Sequence, residues 1–178
     1  MFRSSKPEDL NSILLLNREF FLYTIDRNFD PELKRNKALY KKVRTDLKNR
    51  VLHPRKNNQT PVFVVEKNNR IIGYATGWIL KNKSGKTITN AVLENIFITV
   101  AYRKGGPKYV RGTGAKLLNK FRGACRKNKS HKINVDYYTT DSDAENFYLS
   151  KSAQFSISKE KARDPNKTRL EFIIKYRS

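Results

Sequence analysis

Apolar residues recur at helical spacing in the first third of this chain, alternate in the middle, and do each in turn toward the end. A short strand is expected within Met1 to Lys6. Pro7 at a first helical position, with Glu8 and Asp9 in the first turn, marks a helix start, and Leu10, Ile13, Leu14, Phe20 and Phe21 follow on one face. A second start stands at Asp30-Pro31-Glu32, with Asp30 as N-cap and Leu33, Leu39, Tyr40, Val43, Leu47 and Val51 at helical intervals. From Thr60 the period is that of strands. Pro61 to Glu66, the turn Lys67-Asn68-Asn69-Arg70 and Ile71 to Leu80 read as a hairpin. After the loop Lys81 to Lys86, which carries Gly85, a third antiparallel strand runs from about Thr87 to Val100. A glycine-rich turn then leads into a helix from Gly112 to Lys127, apolar at Ala115, Leu118, Phe121 and Cys125. Ile133, Val135 and Tyr137 alternate inward as in a half-buried strand. Asp141 or Ser142 caps a short helix through Ala144, Phe147 and Tyr148, and Leu170, Phe172, Ile174 and Tyr176 alternate as a closing strand.

No repeat or linker divides this series, so the expectation is one domain over residues 1–178, of α+β class with a mixed sheet. Cys125 cannot form an internal disulfide and falls at helical spacing with Leu118 and Phe121, the place of a small buried hydrophobe. Neither a signal peptide nor a membrane-spanning run is visible, and the expected compartment is cytoplasmic. His53 and His131 lack partners at ligand spacing, so no metal site is expected.

Charge changes the picture more than length does. The chain holds 38 Lys+Arg against 16 Asp+Glu, a formal net charge of +22. No Asp or Glu occurs between Glu94 and Asp136, an interval crowded with Lys and Arg. The excess fits an RNA or another polyanion as partner; it also fits AT-rich coding, since Lys, Asn and Ile are abundant together. The lysines at 34, 37, 41, 42 and 48 with Arg44 form either a solvated helix face or one that meets phosphates.

The stretch Leu93 to Leu118 joins an apolar strand to a helix through a turn rich in glycine and cations. Helix N-terminal N–H groups, close-approaching glycines and Lys or Arg together suit a phosphate, although Gly-x-Gly at such a turn also serves ordinary tight packing. The order of elements, with LENIFI before the turn, GTGAKLL after it and NFYLSKSA near the end, resembles the GNAT superfamily of N-acetyltransferases over nearly the whole chain. Leu93 to Ile98, Tyr102-Arg103 and Gly112-Thr113-Gly114 match the family's central strand, tyrosine-arginine pair and pyrophosphate turn. Asp141, Ala144, Phe147, Tyr148 and Ser152 fall on its Asn-x-x-Ala-x-x-Phe-Tyr-x-x-x-Gly motif.

The resemblance implies a mostly antiparallel sheet flanked by helices, acetyl-CoA as cosubstrate, and transfer of an acetyl group to a primary amine. By family position, main-chain groups of Phe97 and Ile98 would hold pantetheine, and those of Val110, Arg111, Gly112, Thr113, Gly114 and Ala115 would cradle the pyrophosphate, with a hydroxyl bond from Thr113. Tyr148 would protonate the departing thiolate; its other reading is a core aromatic beside Phe147. Glu94 would serve as base, or else pair with a neighbouring cation. Tyr109 stands where the family has Arg or Gln, and Arg103 is separated from Gly112 by about six extra residues. Arg103, Lys104, Lys108 or Arg111 would then supply the missing charge. The positive field argues against a polyamine acceptor and favours an amine on an anionic scaffold, such as an aminoacyl-tRNA or a ribosomal protein. A small-molecule or peptide acetyltransferase, and an inactive nucleic-acid-binding module of the same fold, remain as alternatives.

Overall fold

The computed structural model describes residues 1–27, 37–53, 60–81, 88–151, 156–162 and 166–174. The Asp30 cap, the Gly85 loop, Ser152 and Tyr176 lie outside them. Strand β1 (Phe2–Ser4) is followed by a 3₁₀ turn at Pro7–Asp9 and helix α1 (Leu10–Asp26). Proline presets the first turn, but the α-helical run begins only at Leu10. Helix α2 (Lys37–Leu52) buries Leu47 and Val51, with Tyr40 packed edge-on against Phe21, ring centroids 4.6 Å apart. Leu39, expected on this stripe, stands one position off the line through Tyr40, Val43 and Leu47 and is exposed.

Strands β2 (Val62–Lys67) and β3 (Arg70–Lys81) form the expected hairpin. Asn68 and Asn69 both take positive φ, 49° and 57°, which is why a two-residue turn of this twist can close it. β4 (Ile88–Ile98), α3 (Thr113–Lys127), β5 (Lys132–Tyr138), α4 (Ser142–Leu149), β6 (Ser156–Lys161) and β7 (Lys167–Ile173) complete the described elements. The sheet order is β1-β2-β3-β4-β5-β7-β6, and every pairing is antiparallel except β4 with β5. α1 and α2 cover one face, where Ile13, Leu47, Val64, Tyr74 and Phe97 pack together. α3 and α4 cover the other, over Ala91, Leu93, Leu117, Phe121, Ile133 and Phe172, with Cys125 fully buried among them.

Two irregularities in β4 set up the site. Asn95 pairs with Thr76 and Leu93 with Gly77, leaving Glu94 as an extra residue, a β-bulge that re-aims its side chain. The parallel pairing with β5 ends at Leu93↔Val135. Beyond that point β4 continues along β3 to Ile98 and β5 along β7 to Tyr138, so the two strands part.

Candidate active site

A cleft of about 1290 Å³ opens where β4 and β5 part. Ile96, Phe97 and Ile98 line one wall, Asp141, Ala144, Phe147 and Tyr148 the other, with Phe20 and Tyr23 of α1 beside them and the loop Tyr102 to Ala115 at the mouth. Each expected cofactor residue therefore borders the same space as Tyr148. Glu94 does not.

The loop is enlarged but ordered by its own main chain. Gly106 N–H donates to Arg103 O at 2.9 Å, Lys108 N–H to Ala101 O at 2.8 Å and Tyr109 N–H to Gly106 O at 3.2 Å. A Cβ at Gly106 would stand 2.4 Å from Val100 O, so this turn closes only around glycine. At the α3 N-cap Gly112 has φ +80° and open space around the position of a Cβ. No side chain caps the helix, and the first-turn N–H groups, which have no intrahelical acceptors, present partial positive charge at the cleft. Gly114 differs: a Cβ there would come within 2.9 Å of the Phe147 ring, so it is glycine for close packing of α3 on α4. Two expected donors are already used. Val110 N–H donates to Tyr102 O at 3.4 Å, and the hydroxyl of the buried Thr113 to Val110 O at 2.8 Å.

Among the cations that line the cleft, Arg103 is held by α1 and β4. Its guanidinium lies 4.4 Å from the ring centroids of both Tyr23 and Phe97, and its Nε donates to Ile98 O at 2.6 Å. Burial lowers its pKa, yet a guanidinium stays charged at any working pH. Lys104 and Arg111 are exposed and line the cleft. Lys108 and Tyr109 are exposed as well, and of these two only Tyr109 borders the cleft.

Tyr148 sits on α4, whose N-cap Asp141 accepts from Ala144 N–H at 2.9 Å. Its ring packs on Tyr137, Phe147 and Phe172 at 6.1, 5.0 and 6.0 Å. Desolvation first, and the Asp141 charge second, push its pKa up, so the hydroxyl keeps its proton. Burial also raises the Asp141 pKa, against the nearby Arg103 and Arg27.

Glu94 is on the α2 side of the sheet, held by residues that sequence reasoning passed over. Its carboxylate accepts from Trp78 Nε1 and, at 2.5 Å, from Arg50 Nη1. Arg50, 4% exposed, stacks 4.0 Å from the Trp78 ring centroid, donates to Thr76 Oγ1 at 3.2 Å and pairs with Asp46. The available signal was an arginine one turn beyond Leu47 and next to Val51, on the buried stripe of α2. Among the described residues no group of three His, Cys, Asp or Glu could hold a metal. No described helix is long and apolar enough to cross a membrane.

No protein-family model matches the chain, and no curated protein sequence matches it. Solved structures do. The PaiA N-acetyltransferase of Thermoplasma acidophilum, in complex with coenzyme A, superposes with TM-score 0.75 at 17% identity, covering 99% of this chain and 98% of its own. The GNAT domain of S. lividans PAT gives TM-score 0.69 at 12% identity over 97% and 89%. Diaminobutyrate acetyltransferase EctA from Paenibacillus lautus, with its substrate and coenzyme A, gives 0.66 at 10% over 100% and 96%.

Proposed function

We propose, from the premise that this chain has the GNAT fold, that it is an acetyl-CoA-dependent N-acetyltransferase acting on a primary amine, with residues 1–178 as one catalytic domain. The observation that supports this reading most is the continuity of the cleft from Tyr148 to the uncapped N-terminus of α3. Thioester at one end and pyrophosphate at the other match the two ends of this space in chemistry. The first turn of α3 at Gly112 to Ala115 offers N–H groups and partial positive charge, and the open Gly112 lets a phosphate approach the main chain. Main-chain groups of Phe97 and the N–H of Ile98, past the last β4–β5 pair, hold the pantetheine arm, the Ile98 carbonyl being taken by Arg103 Nε. When the neutral amine attacks the thioester carbonyl a C–N bond forms, and as the C–S bond breaks Tyr148 gives its proton to the leaving thiolate sulfur and takes back the proton that the new amide nitrogen sheds. Glu94, outside the cleft lining and held by Arg50 and Trp78, would act as base only through water and after exchanging one of those partners.

The acceptor is read as an amine on an anionic scaffold, such as an aminoacyl-tRNA or a ribosomal protein, in the cytoplasm. What supports this is the field: exposed Lys41, Lys42 and Lys48 on α2 and Lys116, Lys120, Lys127 and Lys129 on and beyond α3. Thiol release from acetyl-CoA, followed with aminoacyl-tRNA and with simple amines, tests both layers. Turnover with the former that falls steeply with salt is expected. Turnover with simple amines alone would remove the scaffold, and none with either would remove the enzyme. Tyr148→Phe should lower kcat about a hundredfold while leaving acetyl-CoA affinity unchanged.

A further inference from the structure

We propose that Arg103 is a positioning residue that locks the phosphate loop onto α1 and β4, and that Arg111, assisted by Lys104, is the cation that meets the phosphates. This rests on the acetyl-CoA reading for its ligand but not for its geometry. Arg103 lines the cleft, but its guanidinium is held on three sides: by the Tyr23 ring of α1, by the Phe97 ring of β4, and by the Ile98 carbonyl through Nε. A guanidinium between two rings 4.4 Å away gains from stacking and from partial desolvation, and drawing it out to reach a phosphate would forfeit both.

The same corner is braced a second time from α1. Glu19 Oε1 accepts from Thr99 Oγ1 at 2.7 Å and from Val100 N–H at 3.0 Å, so the chain leaving β4 is held by two side chains of one helix face before the loop begins. The Arg103 carbonyl then accepts from Gly106 N–H, which starts the turns that carry the main chain round to Gly112. Arg103 thus fixes where the loop starts, and the loop fixes where Arg111 ends. Arg111 adjoins the uncapped helix start, is exposed and borders the cleft. Its guanidinium matches phosphate oxygens in planar, two-pronged geometry. The extra residues relative to the family's turn therefore separate two jobs, anchoring and charge, onto two arginines.

The test is calorimetry with acetyl-CoA at several salt concentrations, on the whole protein and on Arg103→Ala, Arg103→Lys and Arg111→Ala, together with amide hydrogen exchange of the ligand-free proteins. Losing a phosphate contact weakens binding and flattens its salt dependence; losing an anchor weakens binding without changing the slope. Arg111→Ala should weaken binding about tenfold with a shallower slope. Both Arg103 variants should weaken it about tenfold at unchanged slope, since lysine has neither the planar face nor Nε. Only the Arg103 variants should speed exchange across Tyr102 to Arg111. Arg103→Lys restoring affinity, Arg103→Ala flattening the slope, or exchange at the level of the unmodified protein would each overturn the proposal. Should the unmodified protein not bind acetyl-CoA, the ligand reading fails and the exchange data still decide the anchoring role.

Discussion

Gly112 and Gly114 stand two residues apart and are glycine for opposite reasons: one keeps space open and the other fills none. Gly112 needs its left-handed backbone, and the space where a Cβ would stand is open. Gly114 is pressed against the edge of Phe147, itself wedged on Tyr148. Gly114→Ala gains about 1 kcal/mol of helix propensity and loses about 1–3 kcal/mol to overpacking. The second effect wins because Phe147 is held by its neighbours, so thermal denaturation should show a net loss of about 1 kcal/mol. A second single-residue prediction concerns acid. Arg3 holds the Asp9 carboxyl below its ordinary pKa through two hydrogen bonds of 2.6 and 2.9 Å. A depressed carboxyl contributes stability that is present above its unfolded pKa and lost as pH falls through the folded one. Asp9→Asn should therefore cost about 1–2 kcal/mol at neutral pH and flatten the acid limb of a stability–pH curve. An acid limb as steep as in the unmodified protein would remove Asp9 from the explanation.

At the scale of elements, the helix and strand series was legible because each period has one cause: a face turned to a core. Ile133, Val135 and Tyr137 alternate because β5 is covered on one side by α3 and α4, and the NN turn shows because few residues other than asparagine accept two positive φ angles in a row. The bulge at Glu94 left no such mark, since one extra residue in a strand alters pairing without altering composition. Arg50 escaped for a related reason: burial of a charge depends on partners from other elements, here Glu94 and Trp78. That cluster ties α2 to β3 and β4. Arg50→Ala leaves Glu94 and Asp46 without their cation and should cost about 2–3 kcal/mol in denaturant unfolding, followed by the fluorescence of Trp78, the one tryptophan. Glu94→Gln separates tether from base. As a tether it lowers stability with an unchanged pH profile of kcat/KM, whereas loss of the acid limb of that profile would make it a base.

The turn into α3 was legible from Gly112 to Ala115, where main-chain geometry decides, and illegible from Arg103 to Tyr109, where the fold decides which cations are stacked and which exposed. Sequence spacing offered four cations for one role; three of them, Arg103, Lys104 and Arg111, line the cleft, and of these Arg103 is stacked on aromatic rings while Lys104 and Arg111 are exposed. Over the whole molecule, the +22 charge has consequences beyond the cleft. If it serves a polyanion, binding of an RNA hairpin should weaken steeply between low and moderate salt, and replacing Lys116, Lys120 and Lys127 together should reduce the salt slope by about two to three. A slope unchanged by that triple replacement would assign the excess lysine to composition.

The central claim is that the parting of β4 and β5 and the start of α3 hold acetyl-CoA. Calorimetry of acetyl-CoA with the unmodified protein and with Gly112→Glu, folding of both checked by circular dichroism, tests it directly. Saturable binding at one site, lost when a carboxylate is placed at Gly112, is the result expected; no binding to the unmodified protein, or binding that Gly112→Glu leaves intact, would contradict it.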